Sequence, residues 1–104
     1  MSKRVDAIFE KAGFFVFRDS GYIELSQYTP AGEDWRITLE KPADIIDYAE
    51  MFDPDEAFEM WMEAKRDGVA GVPKGSELWK DQLWKKNVLD KVAKKITKLI
   101  KKYN

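Results

Sequence analysis

Two alternating stretches joined by a short turn constrain the fold of this chain more than any other feature. Residues 22–28 read YIELSQY and residues 35–40 read WRITLE, with apolar side chains at alternate positions. A period of two is typical of half-buried β-strands. The intervening TPAGED supplies a Pro that fixes φ and a Gly that permits positive φ, as tight turns require. The pattern predicts a β-hairpin with one buried face, which includes Trp35 and Leu39.

A short helix and a third strand are predicted before this hairpin. Apolar residues recur at helical spacing in residues 4–12, and Gly13 is typical of a helix C-terminus. The apolar run FFVFR at residues 14–18 suits a buried strand, and DSG at residues 19–21 is a turn signal. The simplest arrangement is a three-stranded antiparallel meander, which needs helices to cover one face.

Two short helices are predicted after the hairpin. Pro42 suits the first turn of a helix that ends near Phe52. Asp53 and Pro54 then follow as the N-cap and first residue of a second helix, which ends near Arg66. Apolar residues at helical spacing define the inward faces, with Ile45, Ile46, Ala49 and Phe52 on the first helix and Phe58, Trp61 and Met62 on the second.

The last and longest helix is predicted over residues 77–102, with Ser76 as its cap after a loop at 68–75. Its apolar stripe follows a 3-4-3-4 spacing through Leu89, Val92, Ile96, Leu99 and Tyr103, and Trp79, Leu83, Trp84 and Val88 extend it towards the start. We therefore predict a single α+β domain in the order α-β-β-β-α-α-α. Residues 1–41 form the helix and meander, 42–67 the acidic helices, and 76–104 the basic helix.

Composition excludes several kinds of chemistry. The chain has no cysteine and no histidine, so it cannot form disulfides, a Ser-His-Asp triad or an ordinary zinc site. The carboxylates of residues 53–56 are explained by helix capping, and Lys41 has no suitably spaced acid before it for a nuclease site. We predict no enzymatic activity, no catalytic residue, no metal and no cofactor. Without a signal-peptide core or a long apolar run, we expect a cytoplasmic protein without membrane contact.

Charge is divided along the chain. Residues 1–76 carry 16 acidic and nine basic side chains, whereas residues 77–104 carry nine lysines and three acids. On the two central helices the acids fall largely opposite the apolar stripes. Such a face can solubilise a protein, or it can imitate nucleic-acid phosphates and occupy a basic groove of a partner. The predicted partner-binding face comprises Glu33, Asp34, Asp44, Asp47, Glu50, Asp53, Asp55, Glu56, Glu59 and Glu63.

The lysines of the last helix have three interpretations. They can flank a stripe that packs on the sheet, contact phosphates of DNA or RNA, or border a protein interface. Without base-reading Arg or Asn side chains, nucleic-acid binding would be non-specific. The possible nucleic-acid contacts are Lys91, Lys94, Lys95, Lys98, Lys101 and Lys102.

Two segments carry a resemblance to a known group of proteins. ELSQYTPAGEDW at residues 24–35 and FDPDEAFEMWMEAKRDGVAGVP at residues 52–73 resemble small proteins carried on mobile elements and phages of Gram-positive bacteria. Some proteins of this size and setting are type II-A anti-CRISPR proteins, which inhibit Cas9. The resemblance implies a Cas9 inhibitor that interferes with guide-RNA loading or DNA engagement in the positively charged channels of that protein. It assigns no site residue.

We therefore predict a non-enzymatic inhibitor that binds a protein partner, possible partners being Cas9 or its guide-RNA complex. The first rival is a nucleic-acid-binding module that uses the lysine-rich helix. The second is a structural accessory protein of a mobile element, which dimerises through the stripe from Leu89 to Tyr103. The sequence leaves open whether the protein is a monomer or a dimer, and whether its acidic and basic regions pack together.

Overall fold

The computed structural model describes residues 2–68 and 76–103, apart from the side chains of residues 2, 76, 77 and 103. It confirms the predicted α+β class and the predicted order of elements. These elements are α1 Ser2–Lys11, β1 Phe15–Asp19, β2 Tyr22–Tyr28, β3 Asp34–Leu39, α2 Asp44–Met51, α3 Pro54–Arg66 and α4 Ser76–Tyr103.

The three strands form one antiparallel sheet in the order β1-β2-β3. Leu25 at the middle of β2 lies opposite Val16 of β1 and Ile37 of β3. In the turn between β2 and β3, the backbone N–H of Glu33 donates to Thr29 Oγ1 at 3.0 Å, and the N–H of Thr29 donates to the Glu33 carbonyl at 2.9 Å. The predicted hairpin is confirmed, and its register buries the alternate residues of both strands.

The helices cover one face of the sheet, and the core lies between these two layers. Its buried members are Val5, Phe9, Phe14, Ile23, Leu25, Trp35, Ile37, Leu39, Ile45, Ala49, Leu89, Val92 and Ile96. The predicted inward faces of α1, α2 and the second half of α4 are thus largely confirmed. Ile8, Ile46, Phe52 and Leu99 are only partly buried at the edge of this core.

Gly13 and Gln27 connect the end of α1 to the sheet. Gly13 has φ +96°, and a Cβ atom there would lie 2.5 Å from Oε1 of Gln27. The buried amide of Gln27 donates through Nε2 to the carbonyl of Ala12 at 3.2 Å. Glycine is therefore favoured by the positive φ, which L side chains rarely adopt, and a larger residue would also displace the Gln27 amide.

β1 is not the buried strand that its apolar run predicts. Phe15 and Phe17 are 74% and 55% exposed, and only Val16 of the run FVF packs against the core. The reason is that the helices cover only one face of the sheet, and Phe15 and Phe17 lie on the other face, opposite Ser26 and Glu24. An apolar run cannot by itself distinguish a strand buried on both faces from a strand buried on one.

α3 packs less deeply than its sequence predicts. No residue of α3 is buried, and Met62, predicted to point inward, is exposed. Phe58 and Trp61 are partly buried, with the Phe58 ring meeting the ring of Trp79 edge-to-face at 5.4 Å between centroids. The predicted N-cap is confirmed, since the Asp53 carboxylate accepts a hydrogen bond from the N–H of Asp55 at 3.0 Å.

The first half of α4 follows the prediction only in part, since Trp84 and Val88 pack against the core as predicted. Trp79 and Leu83 are exposed, whereas Leu78 is buried together with three polar residues, Asp81, Gln82 and Lys85. The predicted loop lies outside the described residues except for Gly68, and the predicted cap made by the Ser76 side chain also lies outside them.

Candidate functional site

Most of the predicted acidic face is present on α2 and α3. Seven carboxylate side chains are exposed there, and none lies within ion-pair distance of a described basic group. They form what we call the acidic surface, which consists of Asp47, Glu50, Asp53, Asp55, Glu56, Glu59 and Glu63.

Local sequence explains why α3 displays these charges. Pro54 begins the helix and Asp53 caps it, while Asp55 and Glu56 lie in the first turn, where the helix dipole favours negative charge. Glu56, Glu59 and Glu63 then follow at spacings of three and four residues, so they share one side of the helix. The acidic surface is therefore held on two helices and not on a loop.

Three predicted residues do not belong to this surface. Glu33 is part-buried and pairs with Lys85, and Asp34 pairs with Arg36 at 3.2 Å. Asp44 accepts hydrogen bonds from the backbone N–H groups of Glu40 and Lys41, both at 3.1 Å. Glu33 and Asp34 are ion-paired, and Asp44 is part-buried and bonded to two backbone N–H groups, so we exclude all three from the acidic surface. Asp53 caps α3 but is exposed, so it stays in that surface.

Two methionines lie among the exposed carboxylates of the acidic surface. Met51 at the end of α2 is 81% exposed, and Met60 in the middle of α3 is 59% exposed. Together with Asp53 and Glu56 they line a shallow depression of about 280 Å³ between the two helices. Methionine adapts its shape to different partners, and it is used repeatedly at binding surfaces. The acidic surface thus combines charge with apolar contact area.

A buried ion pair lies next to the acidic helix α3. Nζ of Lys85 lies 2.6 Å from Oε2 of Glu33, with the two side chains only 4% and 13% exposed. The same Nζ lies 5.6 Å from the ring centroids of Trp35 and Trp61. Lys85 therefore connects α4 to the β2–β3 turn, to β3 and to α3 through charge and cation–π contacts.

The burial of Lys85 was not predicted, because the lysines of the last helix were interpreted together as side chains that flank the stripe, although a signal for its burial exists. The 3-4 spacing that runs from Leu89 to Ile96 continues backwards through Lys85, Gln82 and Leu78. The apolar side chains of Trp79 and Leu83 suggested a different face for this part of the helix.

Asp81 attaches the hairpin turn to α4. Its Oδ1 accepts a hydrogen bond from the N–H of Ala31 at 3.1 Å, and the side chain is buried. Its Oδ2, and both polar atoms of the buried Gln82 amide, have no hydrogen-bond partner in the described part of the chain. This end of the core is therefore polar, unlike the apolar core around Leu89.

Tyr48 lies beside the same ion pair. Burial raises the pKa of Tyr48 above its ordinary value of 10.0, the negative charge of Glu33 adds to this, and a hydrogen bond with Trp35 opposes it. The folded state thus binds the phenolic proton more tightly than the unfolded state does. This contribution to stability is present below pH 10.0 and is lost as the pH rises through the raised pKa of Tyr48.

All six predicted nucleic-acid contacts are exposed on the second half of α4, and none is ion-paired within the described residues. α3 instead meets the first half of α4, through Trp79 and Lys85. The acidic surface and these lysines therefore lie at different halves of α4 and do not neutralise each other.

No group of three or more acidic side chains is placed to hold a metal ion in residues 2–68 and 76–103. Within the same ranges, none of the helices combines the length and the apolar character needed to cross a membrane.

Comparison with known proteins finds no matching family model, no matching curated protein and no matching solved structure. The functional inference therefore depends on the surfaces described above.

Proposed function

We propose that this protein is a non-enzymatic inhibitor that binds a protein partner through the acidic surface. The partner class is a protein with a basic groove that otherwise holds nucleic acid. Cas9 or its guide-RNA complex is the member of that class implied by the sequence resemblance, and the inhibitor would act there in the cytoplasm. Interference with guide-RNA loading or with DNA engagement is the proposed route.

One observation carries this proposal, namely exposed methionines among carboxylates that have no described cationic partner. Met51 and Met60 expose most of their apolar side chains, and they line one depression together with acids, an arrangement that a solubilising role alone does not need. Spaced negative charges would meet the lysines and arginines of a basic groove, and the methionines would supply contact area at the centre. A basic groove that tracks a phosphate backbone presents the complementary pattern.

Contacts with α4 orient this surface. Lys86 of α4 donates to the carbonyl of Ala49 near the C-terminus of α2, and it pairs with Asp90 at 3.0 Å. Lys85 meanwhile fixes α3 through Trp61. Both acidic helices are thus anchored on α4, which reduces the entropy that the surface would lose on binding.

The position of the apolar stripe argues against the alternative that the protein dimerises through it. Leu89, Val92 and Ile96 are buried in the core of a single chain. A second copy could reach them only if that core opened.

The test is Cas9 cleavage of DNA, measured with the protein added either before or after the guide RNA. We expect inhibition, and we expect E59Q/E63Q to weaken it about tenfold by removing two charges from the acidic surface. E10Q/E40Q is the matched control, because it removes two exposed carboxylates from other elements. This control should inhibit within about twofold of the unmodified protein.

Two outcomes would contradict the proposal at different levels. If the protein neither binds Cas9 nor changes its cleavage in either order of addition, Cas9 is not the partner. If a partner recovered from a bacterial lysate binds E59Q/E63Q and E10Q/E40Q equally well, the acidic surface is not the working surface.

A further inference from the structure

A groove with lysines along its edges lies between α1 and the second half of α4. Two adjoining depressions of about 230 and 290 Å³ form it, and both are lined by Ile8 and Lys95. The floor is aliphatic and consists of Ile8, Ala12, Val88, Val92 and Leu99. This groove is separate from the acidic surface, which lies beside the first half of α4.

Only positive charge borders the groove. Lys11 of α1 lies on one side, and four lysines of α4 lie on the other, with no acidic side chain in the lining. The four are Lys91, Lys95, Lys98 and Lys102. All five are exposed, and none is ion-paired with a described residue. An occupant that brings carboxylates would therefore find unneutralised partners.

The spacing of the α4 lysines matches a helical occupant. They follow one another at intervals of four, three and four residues, so they form a straight row along one side of α4. Flanking charges in such a row pair with opposite charges on a helix that lies alongside, as at the edges of coiled coils. A helix in this groove would pack on α1 and α4 together.

The floor argues against single-stranded nucleic acid and against a membrane. Grooves that bind single strands without sequence preference use aromatic side chains for base stacking, and no aromatic or arginine side chain is among the residues that line this groove. A flat lipid surface would contact protruding apolar side chains, whereas Ile8 and Leu99 are partly buried between two helices. An apolar strip flanked by carboxylates fits both the floor and the lysines.

We propose that the groove between α1 and α4 binds an acidic amphipathic helix of a protein partner. The apolar side of that helix contacts Ile8 and Leu99, and its glutamates or aspartates meet Lys95 and Lys98. This mode of recognition buries an amphipathic helix in an apolar groove. The groove and the acidic surface have no residue in common. Binding in the groove is therefore independent of the inhibitory function proposed above.

The test uses a fluorescent synthetic helical peptide with leucines at three- and four-residue spacing, flanked by glutamates. Fluorescence anisotropy measures its affinity for the full chain and for charge-reversal variants. We expect K95E/K98E to weaken binding about tenfold or more. K94E/K101E makes the same change of charge on the same helix, but neither lysine lines the groove. This control should stay within about threefold of the unmodified protein.

A second variant tests the floor. L99S removes an apolar contact without changing charge, and we expect it to weaken peptide binding severalfold. Circular dichroism checks that the variant is still folded. If its fold is lost, an I8S variant and the heat-capacity change of peptide binding to the unmodified protein test the same contact, since burial of the floor requires a negative value.

Three results would overturn the proposal. The first is an equal loss of peptide affinity in K95E/K98E and K94E/K101E, which would show attraction by overall charge alone. The second is unchanged affinity in the floor variants together with no negative heat-capacity change. The third is tighter binding of an RNA or DNA oligonucleotide, or of anionic phospholipid vesicles, that K95E/K98E abolishes.

Discussion

Lys85 places a positive charge almost entirely inside the molecule, where Glu33 is its only ion-pair partner among the described residues. Removing one member of such a pair leaves the other charge buried and uncompensated, and the usual cost is about 3–5 kcal/mol. The aliphatic part of the lysine also fills space against Trp35 and Trp61. A methionine at this position keeps that packing and removes only the charge.

We predict that K85M lowers the free energy of unfolding by about 3 kcal/mol, and that the double variant K85M/E33Q regains a large part of this loss. Urea unfolding of the single and double variants measures the coupling. K80M is the control, because Lys80 is exposed on the same helix, and its effect should stay within about 0.5 kcal/mol. Strictly additive effects of the two substitutions would contradict the prediction.

At the residue scale, sequence reasoning succeeded where a side chain follows a local rule. The Asp53 cap and the exposed acids of α3 were predicted from spacing and helix-terminus preferences, and the structure has them. Glu33 and Lys85 were both assigned to solvent-facing surfaces. Their pairing joins positions 52 residues apart, and no local sequence pattern predicts such a contact.

α3 is the helix with the least support from the core. None of its residues is buried, whereas α2 buries Ile45 and Ala49. Local opening requires little free energy where few apolar contacts are broken. We therefore predict that the amides of α3 exchange hydrogen with solvent faster than those of α2, as measured by native-state hydrogen exchange.

The variant D53A sharpens this prediction. Loss of the N-cap hydrogen bond costs a helix about 1 kcal/mol, so exchange in α3 should become roughly fivefold faster while exchange in α2 stays unchanged. Protection of α3 equal to that of α2 in the unmodified protein would show that its contacts with α4 are stronger than its burial indicates.

At the element scale, the sequence predicted which helices and strands exist and in what order they follow. It did not predict how deeply each of them is buried. The bounds of β2 match the prediction, and those of β3 differ by one residue, because alternation is a local signal. The exposure of Phe15 and Phe17 depends on which face of the sheet the helices cover, and the apolar run of β1 does not specify this. The exposure of Met62 likewise depends on how α3 lies against α4, which the period of the helix does not specify.

The whole molecule is elongated. Its principal extents are 47, 24 and 20 Å, and the radius of gyration of its Cα atoms is 14.7 Å. A compact domain of this length would have a radius of gyration of about 13 Å. The sequence predicted that the last helix is the longest, but not how the other elements would be distributed along it.

We predict that the protein in solution is a monomer with this shape. Small-angle X-ray scattering coupled to size exclusion should give a radius of gyration near 15 Å after allowance for side chains and hydration. The value should not change with protein concentration in 0.5 M salt, where exposed opposite charges on different copies are screened. A concentration-dependent increase under these conditions would indicate association through apolar surface.

α4 also determines the distance between the two surfaces. From Trp79, beside α3, to Lys98, in the groove, the helix rises by roughly 28 Å. Two molecules bound at once would therefore be held at a set separation by a rigid spacer. Each residue of an α-helix also turns it by about 100°, so the number of residues between the two sites fixes the angle between the bound molecules. The length of α4 thus sets the relative orientation of two bound molecules as well as their spacing.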